Sequence, residues 1–147
     1  MTLSLQHLTP TRRDLLAIMQ AALAAVDPFE AVGRGLRREG KMLHVSDQQY
    51  DLTTFEKVWI IGAGKAGAPM ARAVEEALGE GLDGGVVIVK AGHLAPLARF
   101  DLREAAHPVP DTTSLEAGAA IFQLARQVTA RDLVLFLFSG GGSALLE

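Results

Sequence analysis

The sequence predicts an α/β domain: a Rossmann-like, doubly wound and mainly parallel sheet with helices on both faces. Short apolar strands alternate with segments of helical periodicity, as is typical of such sheets. Val86–Val89 and Leu133–Phe138 are unbroken apolar runs, which suit buried strands covered on both faces. One glycine cluster follows Ile61 directly, and another follows Phe138 after a single serine, Ser139. Because ligands bind at the carboxyl ends of the strands, we expect both clusters on one functional edge.

The N-terminal third predicts two helices and a small hairpin. The first helix begins after Thr9, an N-cap residue that precedes a proline, and it ends at Asp27-Pro28. A second helix is predicted over Pro28–Arg38, with Gly40 as its C-terminal stop. The strands of the hairpin are predicted at Met42–Val45 and Tyr50–Leu52.

The first strand of the main sheet opens a strand, loop and helix unit. Val58–Ile61 is predicted as a buried strand, Gly62–Gly67 as a glycine-rich turn and Ala68–Leu78 as a helix that Gly79 stops. Val86–Val89 is the next strand along the chain.

The second half predicts two more strands and one helix. A short strand is expected at Asp101–Ala105. Thr113-x-x-Glu116 has the pattern of a capping box, which predicts a helix from Thr113 through Val128. Leu133–Phe138 follows as the most apolar strand.

Composition excludes several classes of function. The chain has 147 residues, with 14 Lys and Arg against 17 Asp and Glu, so it has no basic surplus for nucleic acid. It has no cysteine, which excludes disulfides, thiolate nucleophiles and cysteine-bound metals. The longest apolar run is Leu133–Phe138, far below the roughly twenty residues of a membrane span, and Met1–His7 lacks the pattern of a signal peptide. We expect one cytoplasmic domain over residues 1–147.

The turn after the first strand carries a lysine between its glycines. Gly62, Gly64 and Gly67 fit the dinucleotide pattern GxGxxG, but the next strand ends at Lys90 with no acidic residue to hold a ribose. Lys65 lies inside the loop, where a phosphoryl-transfer site often needs a cation. The alternative is a tight structural turn with Lys65 in water. We expect Gly62, Gly64 and Lys65 to bind substrate or phosphate.

The second glycine cluster lies between a buried strand and an expected helix. Three consecutive glycines carry a high entropic cost, but they let backbone amides approach an anion closely. A flexible linker would explain the composition too, although linkers seldom interrupt a strand and its helix. The residues expected to hold a phosphate or carboxylate are Ser139, Gly140, Gly141, Gly142 and Ser143.

A proline-rich segment, His107-Pro-Val-Pro-Asp111, precedes the last helix. Its rigid backbone would present the His107 imidazole and the Asp111 carboxylate accurately. Equally, Asp111 is explained as a helix-cap acid and His107 as a structural loop residue. His93 lies near the end of a strand and is more often structural when alone. No histidine pair has metal-ligand spacing, so the sequence leaves any metal site unknown.

Four motifs, in this order and spacing, resemble the N-terminal domain of the glycerate 2-kinase family, whose members are often labelled hydroxypyruvate reductases. They are Ile61–Ala66 with Met70-Ala71, the turn Lys90-x-Gly-His93, His107–Asp111 and Ser139–Leu146. The resemblance covers essentially the whole chain. The family pairs this domain with a C-terminal MOFRL domain, which is absent here. Because Ala144–Glu147 forms barely one helical turn, we expect a truncated chain.

The resemblance implies a kinase that uses ATP and Mg²⁺ to phosphorylate D-glycerate to 2-phosphoglycerate in a cleft between two domains. It implicates Lys65 as a catalytic cation, while Asp111 is a further candidate for a magnesium or hydroxyl contact. His107 is a candidate for binding substrate or phosphate. The missing part is expected to supply an arginine and metal ligands, so the fragment alone is expected to be inactive. The sequence leaves open whether the protein forms a homo-oligomer.

Two rival functions remain at this point. An NAD(P)H-dependent hydroxypyruvate reductase would have to bind its cofactor without the acidic residue after the second strand. A non-catalytic module that binds sugar phosphates belongs to another class. It would bind a phosphorylated acid without consuming ATP.

Overall fold

A computed structural model describes residues 9–146. The expectation about a signal peptide concerns Met1–His7, which lies outside the described residues. Within them the chain forms four helices, a three-stranded antiparallel sheet and a four-stranded parallel sheet. The predicted α/β class is confirmed, and the antiparallel sheet contains the predicted hairpin, whose second strand spans Gln48–Asp51 rather than Tyr50–Leu52.

Two capped helices open the described chain. α1 spans Pro10–Ala25, and the Thr9 side chain accepts a hydrogen bond from the backbone of Arg12 at its start, as expected for an N-cap. α2 spans Pro28–Gly35 and is capped by Asp27, whose carboxylate accepts from two backbone amides of the first turn. α1 buries none of its residues within the described chain.

The predicted extension of the second helix to Arg38 is wrong. α2 ends at Gly35, and Leu36–Glu39 forms strand β1. β1 pairs with β2, Met42–Val45, which pairs in turn with β3, Gln48–Asp51. The ladder satisfies the backbone and buries Leu36, so tertiary pairing outweighs helix propensity here. Gly40 lies in the turn between β1 and β2 and does not stop a helix.

Four parallel strands form the main sheet. They are β4 (Val58–Ala63), β5 (Gly84–Lys90), β6 (Phe100–Ala105) and β7 (Leu133–Phe138), in the order β6-β5-β4-β7. All four predicted strands are confirmed. The helix between β4 and β5 is α3, Gly67–Leu78, and the helix between β6 and β7 is α4, Thr112–Ala125. α4 ends before Val128, the predicted limit.

The two helices cover opposite faces of this sheet, as predicted. Side chains of α3 and the hairpin pack on one face, where Ile60 and Val87 are fully buried. Side chains of α4 pack on the other, against Ile61 and Ile88. Leu145 is also fully buried on the α4 face, which fixes the end of the chain segment after β7.

β7 is less buried than its sequence predicts. It lies at the edge of the sheet among the described residues, and α4 packs over β5 and β6. Phe136 and Phe138 therefore leave 61% and 59% of their surface exposed. An unbroken apolar run indicated a strand covered on both faces, but one face of β7 is open here.

None of the helices in residues 9–146 is by itself long and apolar enough to cross a membrane. α1 and α2 reach that length and apolarity only together, as a pair bent by 47°.

Candidate functional site

The candidate site lies where the order of the strands reverses. From β4 the chain steps through β5 to β6, and α4 then carries it back to β7 on the other side of β4. α3 and α4 lie on opposite faces, so the switch point falls between the carboxyl ends of β4 and β7. Open α/β sheets bind their ligands at such a switch point. Both glycine clusters lie there, as expected.

The loops after β4 and β7 are joined by hydrogen bonds. The Lys65 amide donates to the Gly140 carbonyl at 3.2 Å, and the Ser139 amide donates to the Ala63 carbonyl at 3.1 Å. The Ser139 hydroxyl accepts from the Ala66 amide at 3.1 Å. Ser139 thus connects the two loops, and its part in anion binding remains a prediction.

Two glycines allow this close approach. Gly64 has a φ of +141°, and a Cβ there would overlap the Ser139 hydroxyl and lie 2.8 Å from its carbonyl oxygen. A Cβ on Gly62 would lie 2.8 Å from the Leu137 carbonyl oxygen. Both glycines are buried and pack against β7 and its loop. Their structural role is therefore visible, whereas their predicted contact with a ligand remains a prediction.

The loop after β7 leaves three backbone donors available. Within residues 9–146, the amides of Gly140, Gly141 and Ser143 donate to no protein acceptor. The Gly142 amide is already used, since it donates to the Ser139 carbonyl at 3.3 Å. Gly142–Ala144 forms a single 3-10 turn where the sequence predicted the start of a helix. Ser143 is exposed in that turn.

Lys65, His107 and Gly141 converge beside these donors. Gly141 has a φ of +90°, and a Cβ on it would lie 2.8 Å from His107 Nε2 and 3.0 Å from Lys65 Cε. Lys65 is exposed and forms no ion pair in the described chain. The Lys65 side chain and the His107 imidazole therefore lie against the loop that carries the free amides, and a cation, an imidazole and amide donors in one loop region suit an oxyanion.

The segment that carries His107 is held at both ends by Thr113. The Thr113 hydroxyl accepts from the Ala106 amide at 3.0 Å and donates to the Asp111 carboxylate. Asp111 is the N-cap of α4, and the capping box pairs it with Ser114. The predicted box of Thr113 with Glu116 is therefore wrong, because the cap lies two residues earlier. This bridging role of Thr113 was not predicted from the sequence, although Asp-x-Thr before a helix is a pattern that indicates it.

The Asp111 carboxylate is engaged as a cap. Hydrogen bonds from the Thr113 hydroxyl, and then from the Thr113 amide, lower the pKa of Asp111 below its ordinary value. This is the cap-residue alternative that the sequence left open. A catalytic role for Asp111 remains a prediction.

Replacing Asp111 with alanine is expected to lower the unfolding midpoint at pH 7, because α4 loses its cap. The folded-state pKa is depressed, so this contribution is present above the unfolded pKa and is lost as the pH falls through the folded pKa. Thermal unfolding of both proteins from pH 7 to pH 3 should show the difference shrinking with acidification. Glu116→Ala is the matched control, since Glu116 is exposed on the same helix. A difference independent of pH would contradict the assignment.

Other predicted residues lie apart from this convergence. His93 is exposed in the loop after β5, and its Nδ1 lies 3.2 Å from the Ala91 carbonyl oxygen. β5 ends at Lys90, so the ribose-binding carboxylate of a dinucleotide site is missing there. Among residues 9–146, no group of three His, Asp or Glu side chains could hold a metal ion.

Comparisons with known proteins place the chain in a family. The model of a domain of unknown function, DUF4147, matches residues 14–147. The chain is 33% identical to a glycerate 2-kinase of Pyrococcus horikoshii over 90% of this chain and 29% of that protein. It is 38% identical to a glycerate kinase of Danio rerio over 88% and 28%. An Agrobacterium vitis relative with hydroxypyruvate reductase in its name is 38% identical over 92% and 28%.

Two solved structures have the same fold. A Pyrococcus horikoshii OT3 protein matches with a TM-score of 0.82 and 32% identity, over 95% of this chain and 31% of that chain. A glycerate kinase of Thermotoga maritima matches with a TM-score of 0.69 and 32% identity, over 94% and 31%. The chain thus spans less than a third of the length of these relatives. Fold, motifs and family model agree, and the chain belongs to the DUF4147 family.

Proposed function

We propose that this chain is the N-terminal part of a glycerate kinase, which transfers a phosphoryl group from ATP to D-glycerate and forms 2-phosphoglycerate. The observation that carries the proposal is the packing of the Lys65 side chain on Gly141, in a loop whose Gly140 and Gly141 amides donate to no protein acceptor in the described chain. The names of the Pyrococcus horikoshii and Danio rerio relatives support a kinase.

The exposed lysine and the two amides fit an anionic phosphoryl or carboxylate group. Lysine supplies a compact charge and the amides supply directed donors. In the transfer, the 2-hydroxyl oxygen of glycerate bonds to the γ-phosphorus, the bond to the bridging oxygen breaks, and ADP leaves while the hydroxyl loses its proton. Such chemistry depends on positioning and charge neutralisation. In our proposal Lys65 neutralises charge beside the reacting groups and the amides orient them.

Magnesium is a separate matter. The described residues offer no cluster of carboxylates and imidazoles for a metal ion, so they do not fit a Mg²⁺ site by themselves. We therefore assign no step through Mg²⁺ to this chain, and we propose that metal ligands come from a further domain. The relatives are more than three times longer than the matched region, which leaves room for such a domain. A C-terminal MOFRL domain, a homo-oligomer and a cytoplasmic location belong to the same proposal.

The second candidate is the NAD(P)H-dependent hydroxypyruvate reductase, which the name of the Agrobacterium vitis relative favours. β5 ends at Lys90, so the chain lacks the carboxylate that such sites use to hold the ribose. This lack favours the kinase. A non-catalytic module for phosphorylated acids is the third outcome to be distinguished.

Phosphorus NMR separates these functions. The product of the uninterrupted reading frame, that is, the longer protein of which we propose this chain to be the N-terminal part, is incubated with Mg-ATP and D-glycerate. NADH oxidation with hydroxypyruvate is measured in parallel. We expect a 2-phosphoglycerate resonance and no NADH consumption. NADH consumption without the resonance would establish the reductase. Neither signal would favour the binding module.

A further inference from the structure

His107 lies beside two residues of the site, Gly141 and Lys65. Its Nε2 lies against the bare Cα of Gly141, at a place where a Cβ would come within 2.8 Å. The Lys65 stem passes the same point, with Cε 3.0 Å from that Cβ position. The imidazole is half-buried, whereas Lys65 is exposed. The imidazole and the lysine stem thus both pack on the same side of Gly141.

The backbone around His107 is unusually constrained. Pro108 and Pro110 fix two φ angles in the segment. The Thr113 side chain bridges Ala106 and Asp111, the residues that flank the His107–Pro110 segment. His107 is therefore a fixed part of the site, although the sheet places β6 two strands away from β4 and three from β7.

The Lys65 side chain keeps its rotamer freedom unless a neighbouring group restricts it. A lysine side chain has four rotatable bonds, and ordering it costs about 1.5–2 kcal/mol of rotamer entropy. No ion pair within the described residues orders Lys65. Packing its stem on Gly141 beside a fixed imidazole restricts the side chain before any ligand arrives, and preorganised charge is what stabilises a transition state.

We propose that His107 is a positioning residue, which packs on Gly141 beside the lysine stem and so holds the Lys65 ammonium over the loop of the Gly140 and Gly141 amides. The inference rests on the proposed function, since it assigns a role within the same site. It requires no contact between His107 and the substrate. A direct contact of the imidazole with the anion is the competing arrangement.

A double-mutant cycle distinguishes the two arrangements. Lys65→Met, His107→Ala and the double variant are made in the product of the uninterrupted reading frame, and kcat and KM are measured with Mg-ATP and D-glycerate. We expect His107→Ala to lower kcat by about 10- to 100-fold with a smaller change in KM. In the Lys65→Met background His107→Ala should have almost no further effect, because the group that it positions is gone. His107→Gln, which keeps a planar side chain, should recover part of the loss.

His93→Ala removes an imidazole near the same edge that does not contact Gly141, and it should match the wild type. Additive losses in the cycle would mean that His107 acts on the anion independently and would overturn the inference. Unchanged kcat in His107→Ala, with an unchanged unfolding midpoint, would overturn it as well. Absence of turnover in the wild type concerns the proposed function, so the two failures are distinguishable.

Discussion

Replacing Lys65 with methionine is expected to lower kcat for D-glycerate phosphorylation by about 10³-fold while the fold is kept. Methionine matches the unbranched apolar stem of lysine as far as Cε but lacks the charged ammonium. The lysine is exposed and unpaired within the described chain, so its loss should change the free energy of unfolding by no more than about 0.5 kcal/mol. We expect a loss of kcat of this size because phosphoryl transfer depends on neutralising the charge that develops in the transition state.

The measurement is steady-state turnover of the product of the uninterrupted reading frame, with thermal unfolding beside it. Lys41→Met is the matched control, because Lys41 is an exposed lysine in the turn between β1 and β2. It should turn over like the wild type. If Lys65→Met does the same, Lys65 has no part in the chemistry and the observation that carries the proposed function fails.

The sequence was sufficient to predict the main sheet and its functional edge. Strand-length apolar runs, followed by glycine and helix periodicity, predicted β4, β5 and β7, and their parallel pairing confirmed it. Local patterns suffice because each is a consequence of chain geometry within a few residues. The meeting of the loops after β4 and β7 followed from the same reasoning, since carboxyl ends of parallel strands share an edge.

What the sequence could not predict depends on contacts between distant segments. Leu36–Glu39 is a strand because it pairs with Met42–Val45, while its own pattern continues a helix. The exposure of Phe136 depends on β7 lying at the edge of the sheet, and strand order is not written in the strand itself. Likewise His107, in the loop after β6, lies beside Gly141, in the loop after β7, although β6 and β7 are three places apart in the sheet. A tertiary contact of this kind leaves no periodicity in the chain.

Replacing Gly64 with alanine is expected to destabilise the fold by about 2–6 kcal/mol. An L side chain at a φ of +141° costs about 1–3 kcal/mol, and fitting its Cβ beside Ser139 requires a backbone shift that costs about as much again. The shift would separate the loops after β4 and β7 and weaken the hydrogen bond from the Ala66 amide to the Ser139 hydroxyl. Turnover should therefore fall together with stability.

Denaturant unfolding of Gly64→Ala measures the change directly. Gly33→Ala in α2 is the matched control, since a Cβ there meets no atom within 4 Å. Alanine favours a helix by about 1 kcal/mol over glycine, so this control should be as stable as the wild type or more so. Equal stability of Gly64→Ala and the wild type would contradict the close packing of the loops after β4 and β7. The hydrogen bond from the Lys65 amide to the Gly140 carbonyl requires that packing. The site would then lack its scaffold, because the free amides are placed beside Lys65 by that packing.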